Sequence, residues 1–335
     1  MVNLNNNYKK GKRSFYDNYY YTFCISTHKM KVTNLLLRKR FSHILTVTLF
    51  AFFFTYFYSL TNLVFAQTKI VFLAEPKDHG VPGRHEYEKD LKVLAWCLEN
   101  AINLSEIKTK IYVGKAPRDL TELKDASAIV ILSSSDRLEN ETHPLFPPEP
   151  TTDRRTYDSE TLEYLKEFDE IIRTGVGVAV FHYANWVENW TARRYYMDWI
   201  GGLWVQGGSK NLKDQWSMSL KNKNHPVLRG IKPWSYYDEI FVRFLLPNDP
   251  NRTDLVIATP AESPVGPQVA GWAYDREDGG RGFVYGGVDY HENILKEEDY
   301  RKFLLNGIVW AAGIEVPAEG VVTKIPEEIE GITQD

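Results

Sequence analysis

Apolar and polar residues follow two different periods along the first half of the chain. Short apolar runs rich in Val and Ile, at 69–74, 128–132 and 176–181, are typical of strands that are buried on both faces of a parallel sheet. Between these runs, apolar residues recur at helical spacing over 85–101 and 158–174. Because strands alternate with helices, this half of the chain predicts an α/β fold.

The second half of the chain is richer in predicted strands. Helices are predicted over 185–202 and 297–313, and the last three strands recur at the spacing of hairpins. We therefore expect a single α/β domain with a doubly wound, mostly parallel sheet and additional strands. The remaining predicted elements are strands at 110–113, 215–220, 238–244, 254–259, 269–274 and 282–285, and a short helix at 119–124.

Three histidines follow predicted strands of the parallel sheet. His182 comes directly after the run 176–181, His79 lies in the first strand–helix loop, and His85 begins the first predicted helix. Ligands bind at the carboxyl ends of the strands in such sheets, so we expect these side chains at one edge. A histidine that only bonds to the backbone at the strand end is the alternative for His182.

Carboxylates accompany these histidines. Glu86 and Glu88 follow His85, and His291 lies just past the last predicted strand between Asp289 and Glu292. Converging histidines and carboxylates bind Zn²⁺ or a similar divalent ion, or act as acid–base pairs. No compact metal motif such as H-E-x-x-H or C-x-x-C is present. The metal ligands that we predict are His79, His85 and His182.

Two charged residues extend the predicted catalytic set of His182 and His291. Glu239 precedes Arg243 in a predicted strand, where it acts either as a general base or as one half of a structural ion pair. Arg281 lies in a glycine-rich turn, where it binds an anion, a sugar hydroxyl or only nearby carbonyl groups. The residues that we predict to bind substrate are Tyr87, Tyr183, Trp186, Arg243 and Asp289.

Composition narrows the class of ligand. Aromatic residues make up 14% of the chain, with 9 Trp and 20 Tyr, and aromatic-rich clefts suit sugars. The G-x-G-x-x-G, P-loop and G-x-S-x-G motifs are absent, so the sequence does not support nicotinamide binding, ATP use or serine esterase chemistry. His225, before a proline, and His143, in a polar segment, are expected to be structural and solvated respectively.

Charge is distributed unevenly along the chain. Residues 1–66 hold nine of the 40 Lys and Arg residues but one of the 44 acidic residues, so the remainder carries a formal charge of −12. Such an acidic body argues against nucleic acid as a partner. Cys97 is the only cysteine after residue 66, which excludes an intramolecular disulfide there.

The basic first segment has the features of a leader. The run 44–66 is uncharged and mostly apolar and ends in Val64-Phe65-Ala66, which predicts a signal peptide cleaved before Gln67. Its length also suits an uncleaved membrane anchor, the only membrane contact that we expect. Met30 is an alternative start. In either case we expect an exported, periplasmic or secreted body.

Two further segments are irregular. Residues 133–156 form a long polar insertion, which is either a mobile lid over a site or a solvated surface loop. Residues 318–335 are predicted to be an acidic C-terminal tail. The domain itself is expected to span 67–317.

These motifs together resemble one protein family. Their order from Lys69 to Pro317 is similar to that of the trehalose-utilisation (ThuA-like) proteins, which implies the flavodoxin-like fold of class I glutamine amidotransferases. The amidotransferase nucleophile is a cysteine after the central strand, a position that His182 takes here, so glutamine hydrolysis through a thiolate is not expected. The matching stretches are His79-Gly80, His85 to Glu88, Phe181 to Ala184, His225 to Gly230, Asp238-Glu239, Gly280 to Gly282, Gly286 to Asn293, Leu305 to Gly313 and Val316-Pro317.

The resemblance implies a function in carbohydrate catabolism through 3-keto-sugar intermediates. A 3-keto group acidifies the C–H bonds at C2 and C4, and a histidine or glutamate can remove such a proton while a cation or arginine polarises the ketone. The expected reactions are isomerisation and elimination on a small-molecule carbohydrate. A non-catalytic sugar-binding or accessory protein and a metal-dependent hydrolase are the alternatives, and the oligomeric state is left open.

Overall fold

The computed structural model describes residues 68–114, 116–134 and 159–325, which belong to one compact unit. The predicted leader, His143, nearly all of the insertion 133–156 and the last ten residues of the predicted tail lie outside these residues. No helix within the described segments is long and apolar enough to cross a membrane.

The described strands form a nine-stranded sheet with the order β2-β1-β3-β4-β9-β8-β7-β5-β6. The strands are β1 (Thr68–Ala74), β2 (Ile107–Val113), β3 (Ala128–Leu132), β4 (Gly177–Phe181), β5 (Lys210–Leu220), β6 (Trp234–Val242), β7 (Arg252–Pro260), β8 (Gln268–Asp275) and β9 (Arg281–Tyr285).

The sheet has two halves that differ in strand direction. The five strands from β2 to β9 in the sheet order are parallel, and this order corresponds to the flavodoxin-like 2-1-3-4-5 arrangement. The four pairings from β9 to β6 are antiparallel. The expected mostly parallel sheet is therefore not confirmed. The physical reason is that no long helix connects the strands from β5 to β9, and short connections suit antiparallel strands.

Helices cover both faces of the parallel half, as the doubly wound prediction requires. Apolar side chains of α1 and α5 pack with one set of alternating strand residues, including Phe72 and Phe181. Those of α2 and α3 pack with the other set, including Leu73 and Val180. The helices are α1 (Tyr87–Glu99), α2 (Ser159–Ile172), α3 (Trp190–Ile200), α4 (His291–Lys296) and α5 (Glu298–Ala311).

Local backbone chemistry explains where the boundaries differ from those predicted. Helix α1 begins two residues later than expected, because His85 has a left-handed backbone with φ of 53°. Helix α3 begins at Trp190 because the Asn189 side chain accepts from the amides of Thr191 and Ala192. Helix α4 was not predicted.

The chain continues to pack against the domain beyond residue 317. The amide of Val321 donates to the side-chain oxygen of Asn306 at 2.8 Å, and that of Val322 donates to Asn103 at 2.9 Å. The first residues of the predicted tail thus belong structurally to the domain.

Candidate functional site

The parallel strands bring several polar loops to one edge of the sheet. The loop after β1 carries His79, Arg84 and His85, His182 follows β4 directly, and Asp289 lies in the loop after β9. This edge includes the carboxyl ends of β1 and β3, where the strand order reverses and where ligands bind in open α/β sheets.

The antiparallel half of the sheet curls back to the same edge. Gly286, just after β9, donates its amide to the carbonyl of Ala270 in β8 at 2.8 Å. The carbonyl of Gly286 accepts from the amide of Phe241 in β6 at 2.9 Å. A side chain at residue 286 would lie 2.5 Å from the Phe241 carbonyl, so this close approach requires glycine. It brings Glu239 of β6 toward the histidines.

His85, His182 and Asp289 form a compact buried cluster. One ligand atom from each lies within 4.8 Å of those from the others, and all three residues are buried. His85 Nδ1 lies 3.2 Å from Asp289 Oδ1, and neither of these buried atoms nor the buried His182 Nε2 makes a hydrogen bond. Buried polar atoms without a hydrogen bond are costly and uncommon, so three in one cluster indicate a site for a ligand atom that satisfies them.

Neighbouring groups orient these three atoms. His182 Nδ1 lies 3.1 Å from the carbonyl oxygen of Gly286, which favours the tautomer with a proton on Nδ1 and leaves the lone pair on Nε2. Asp289 Oδ2 accepts from Arg84 Nε at 2.6 Å, whereas Oδ1 faces His85 Nδ1 at 3.2 Å. Outer hydrogen bonds of this kind are typical of metal ligands.

The backbone of the cluster is constrained. The amide of His85 donates to the carbonyl of Asp289 at 2.9 Å, and the amide of His291 donates to that of Gly83 at 3.0 Å. His85, His182 and Val288 all have positive φ angles, of 53°, 47° and 94°. Left-handed backbone at residues other than glycine is costly and concentrates at functional sites, which supports a functional interpretation of this edge.

Burial sets the charge of the two histidines. Burial lowers the pKa of His85, and the neighbouring His182 and His79 lower it further. Burial also lowers the pKa of His182, although Asp289 and Glu239 oppose the shift. Both imidazoles are therefore neutral at neutral pH, which is the form that binds metals. Burial raises the pKa of Asp289, against the effects of His182 and Arg84.

These lowered pKa values predict acid sensitivity of the metal-free fold. The unfolded chain takes up a proton at each histidine as the pH falls through about 6.5, whereas the folded chain does not. The free energy of unfolding of the metal-free protein should therefore decrease below about pH 6.5, by up to about 1.4 kcal/mol per pH unit for each histidine. Urea denaturation in the presence of a chelator, between pH 7 and 5, measures this slope.

His182→Asn provides the comparison. Burial raises the pKa of Asp90 to about 6, so the folded chain takes up a proton there and partly offsets the loss in the lower part of the range. The contribution of Asp90 is common to the wild-type protein and to His182→Asn. The free energy of unfolding of the variant should therefore depend less steeply on pH. An equal slope would show that His182 is not held neutral.

His79 is placed differently from the two buried histidines. The rings of His182, His85 and His79 form a column, with centroid distances of 5.4 Å and 4.0 Å. The His79 side chain is 41% exposed, and its Nδ1 lies 2.5 Å from Asp78 Oδ1. The predicted ligand set thus changes, because Asp289, which we predicted to bind substrate, takes the third position and His79 lies outside the cluster.

Arg84 is a site residue that we did not predict. Its Nη2 donates to Glu239 Oε2 at 2.8 Å and lies 2.5 Å from Asp289 Oδ2. An ion pair with Arg243 was one of the two alternatives for Glu239, but Arg243 is exposed, and the guanidinium beside Glu239 is that of Arg84. The other Glu239 oxygen accepts from Asn211 at 2.9 Å.

These contacts bear on the predicted base. Burial favours the protonated form of Glu239, but His182, Asn211 and Arg84 outweigh it and hold the pKa of this carboxyl below its usual value. A carboxylate with a lowered pKa is a weak base. The contacts therefore favour a positioning role for Glu239, and its role as a base stays a prediction.

Two other predicted catalytic residues lie apart from the cluster. Arg281 begins β9, at the end of the strand opposite the site, where its Nη1 donates to the carbonyl of Trp310 at 2.9 Å. This position does not support the predicted orientation of a substrate beside His182. His291 Nδ1 lies within hydrogen-bond distance of Asp90 Oδ1, at 2.7 Å, and this pair is outside the ligand cluster.

Aromatic side chains surround the histidines. The ring of Tyr183 lies 5.6 Å from that of His79, and the ring of Tyr87 lies 5.7 Å from that of His85. Trp186 stacks on Tyr183 at 5.2 Å. These three predicted substrate-binding residues are adjacent to the site but largely buried, so they form its wall, and their contact with a substrate stays a prediction.

Comparison with known proteins decides the family. The ThuA family, described as trehalose utilisation, matches residues 100–311, which is more than half of the chain. The chain belongs to the ThuA family. A search of curated protein sequences gave no match.

This ThuA-family chain is also similar, at low identity, to several solved structures. A ThuA-like protein from Bacteroides uniformis is 14% identical, with a TM-score of 0.48, and the match covers 73% of this chain and 91% of that one. A cytoplasmic protein from Salmonella typhimurium is 12% identical, with a TM-score of 0.45 and coverage of 73% and 98%. A glutamine amidotransferase from Methylobacillus flagellatus is 10% identical, with a TM-score of 0.33 and coverage of 79% and 98%. Similarities at this level carry no argument about function.

Proposed function

We propose that this ThuA-family chain is an exported enzyme of disaccharide or glycoside catabolism that moves protons on 3-keto sugars with the help of a divalent cation. The observation that carries the proposal is the buried cluster of His85, His182 and Asp289, in which one ligand atom of each residue lies within 4.8 Å of the others. His85 Nδ1, His182 Nε2 and Asp289 Oδ1 make no hydrogen bond there. Family membership supports the carbohydrate class of the substrate.

The three residues suit a divalent transition metal. Two imidazole nitrogens and one carboxylate oxygen are ligands of Zn²⁺ and of similar ions, and such a set leaves positions open for a substrate. The carbonyl of Gly286 and the guanidinium of Arg84 hold two of the ligands in place. A cation bound there would polarise the ketone of a 3-keto sugar.

His79 and Asp78 are the pair best placed to move a proton. Asp78 lies beside Nδ1 of His79, which leaves Nε2 to accept a proton, and the ring is both exposed to solvent and packed against the ring of His85. Removal of the C2 proton of a 3-keto glycoside gives an enolate. Formation of the C1–C2 double bond then breaks the C1–O glycosidic bond, and the departing oxygen takes up a proton. Return of the proton to C2 without bond cleavage is isomerisation.

The remaining site residues position the reacting groups. Arg84 joins the carboxylates of Asp289 and Glu239, so it fixes a metal ligand relative to strand β6. The buried aromatic wall keeps water from the inner side of the site, which strengthens electrostatic interactions there. The predicted leader is the support for export.

The test of this function combines metal analysis with isotope exchange. The purified protein should contain about one equivalent of a divalent transition metal, lose it to a chelator and regain it on reconstitution. Turnover of a 3-keto glycoside in D₂O should follow the metal content. Deuterium should appear at C2 of the recovered or isomerised sugar and of the hydrated product, since the elimination product itself has no hydrogen on C2. Hydrolysis without deuterium at C2 would favour the metal-dependent hydrolase. Neither metal nor turnover after reconstitution would favour a non-catalytic sugar-binding protein.

A further inference from the structure

The outward face of the β5–β6 pair carries polar side chains that run away from the ligand cluster. Lys213 is the pairing partner of Glu239 and Gln215 is that of Tyr237, so these four side chains share one face of the sheet. Asn211, Lys213, Gln215 and Tyr237 are exposed, whereas Glu239 is buried. This face therefore begins at a buried residue of the site and opens to solvent.

An aromatic pair connects this face to Arg84. The Tyr237 side chain is 49% exposed, and its ring lies 5.6 Å from that of Tyr290. The guanidinium carbon of Arg84 lies 5.2 Å from the centre of the Tyr290 ring. Asn293 donates its side-chain amide to the Tyr237 carbonyl at 2.9 Å, which fixes the backbone below the ring. The Tyr237 ring is thus joined through Tyr290 and Arg84 to a residue of the cluster.

The chemistry of this surface matches a sugar ring. An exposed aromatic ring packs against the apolar C–H face of a pyranose, while amide and ammonium groups bond to its hydroxyls. Tyr237 supplies the ring, and Asn211, Lys213 and Gln215 supply the polar groups. Isolated exposed aromatics are common on protein surfaces, but this one has polar neighbours on one sheet face and is connected to the site through Tyr290 and Arg84.

We propose that the outward face of β5–β6, with Tyr237 as its platform, is the subsite for the second sugar ring of a disaccharide. The inference rests on the proposed function, since it assumes that the oxidised ring lies at the His85–His182–Asp289 cluster. Tyr237 lies two residues from Glu239 along the strand, a separation of about 7 Å, so the second ring extends outward from the site over the Tyr237 ring. Tyr237 then determines specificity for disaccharides over simple glycosides.

Kinetics with two substrates tests the subsite. For the 3-keto derivative of trehalose, Tyr237→Ala should raise KM by about three- to tenfold, with kcat unchanged, because one ring–sugar contact is lost. For 3-keto methyl glucoside, which has no second ring, KM should not change. Tyr237→Phe keeps the ring and should restore the wild-type KM. Lys223→Ala, an exposed change in the turn that follows β5, is the control.

Equilibrium binding separates this inference from the proposed function. Titration calorimetry with trehalose and with methyl α-glucoside, on the full chain, does not depend on turnover. Weaker binding of trehalose alone in Tyr237→Ala supports the subsite even if the protein holds no metal and turns over no keto sugar. Equal effects on both sugars, no effect on either, or no trehalose binding by the wild-type protein would overturn it.

Discussion

His182→Ala is expected to abolish metal binding and to lower turnover of a 3-keto glycoside by at least about a thousandfold. The substitution removes Nε2, one of three buried atoms of the cluster that make no hydrogen bond, and two ligands rarely retain a catalytic metal. A cation that polarises a carbonyl contributes several kcal/mol, and a loss of about 4 kcal/mol corresponds to this factor. Elemental analysis and steady-state kinetics on the same preparation measure both effects.

Two further variants make this prediction specific. His182→Asn retains a side-chain amide that can donate to the Gly286 carbonyl but has no second nitrogen for a metal, so it should fold and still lose the metal. His225→Ala removes a histidine whose Nδ1 accepts from the Val227 amide in a distant turn, and it should keep the metal. Normal metal content in His182→Asn would refute the assigned ligand.

The sequence identified the edge of the sheet where the site lies because strand periodicity is a local property. The apolar run at 176–181 ends at His182 in the structure, as predicted, since its residues must be buried on both faces. The same reasoning placed His79 and His85 after β1. In a parallel sheet the loops that follow the strands lie at the same edge, so this placement could be predicted without knowing any side-chain position.

The membership of the cluster could not be predicted in the same way. His79 and His85 both lie in the loop after β1, and only the backbone turn at His85, with φ of 53°, decides which ring enters the site. Asp289 is held beside His85 by backbone hydrogen bonds between residues more than 200 positions apart. No periodic pattern in the sequence predicts such long-range bonds. The sequence offered one indication that Arg84 belongs to the site, namely that it immediately precedes His85.

The antiparallel half of the sheet shows why Asn211 was missed. Its strand begins at Lys210, but the first residues are polar and mostly exposed, so apolar periodicity is apparent only from Gln215 onward. Glu239 was predicted as a site residue, but the only partner considered for it, Arg243, is close to it in sequence. The actual partners come from β5 and from the loop after β1. Long-range ion pairs of this kind depend on how the strands curl, which local patterns do not encode.

Arg84→Met is expected to weaken metal binding by about 10- to 100-fold and to destabilise the fold by roughly 3 kcal/mol. Arg84 is the cation shared by two carboxylates, and its loss leaves Asp289 Oδ2 without its donor in a buried position. Because Arg84 opposes the rise in the pKa of Asp289, its removal should raise that pKa further. Metal affinity should then decline more steeply as the pH is lowered than in the wild-type protein.

The same geometry predicts a partial rescue. The double variant Arg84→Met, Glu239→Gln removes one unpaired carboxylate together with the cation, so it should recover part of the lost stability while the metal affinity stays low. Arg243→Met is the matched control, since this exposed arginine lies just after β6 and has no contact with Asp289 among the described residues. Metal titrations over a pH series and urea denaturation measure both quantities. If Arg84→Met and Arg243→Met lost metal affinity equally, the net charge of the protein would explain the effect, and the assigned contact between Arg84 and Asp289 would be refuted.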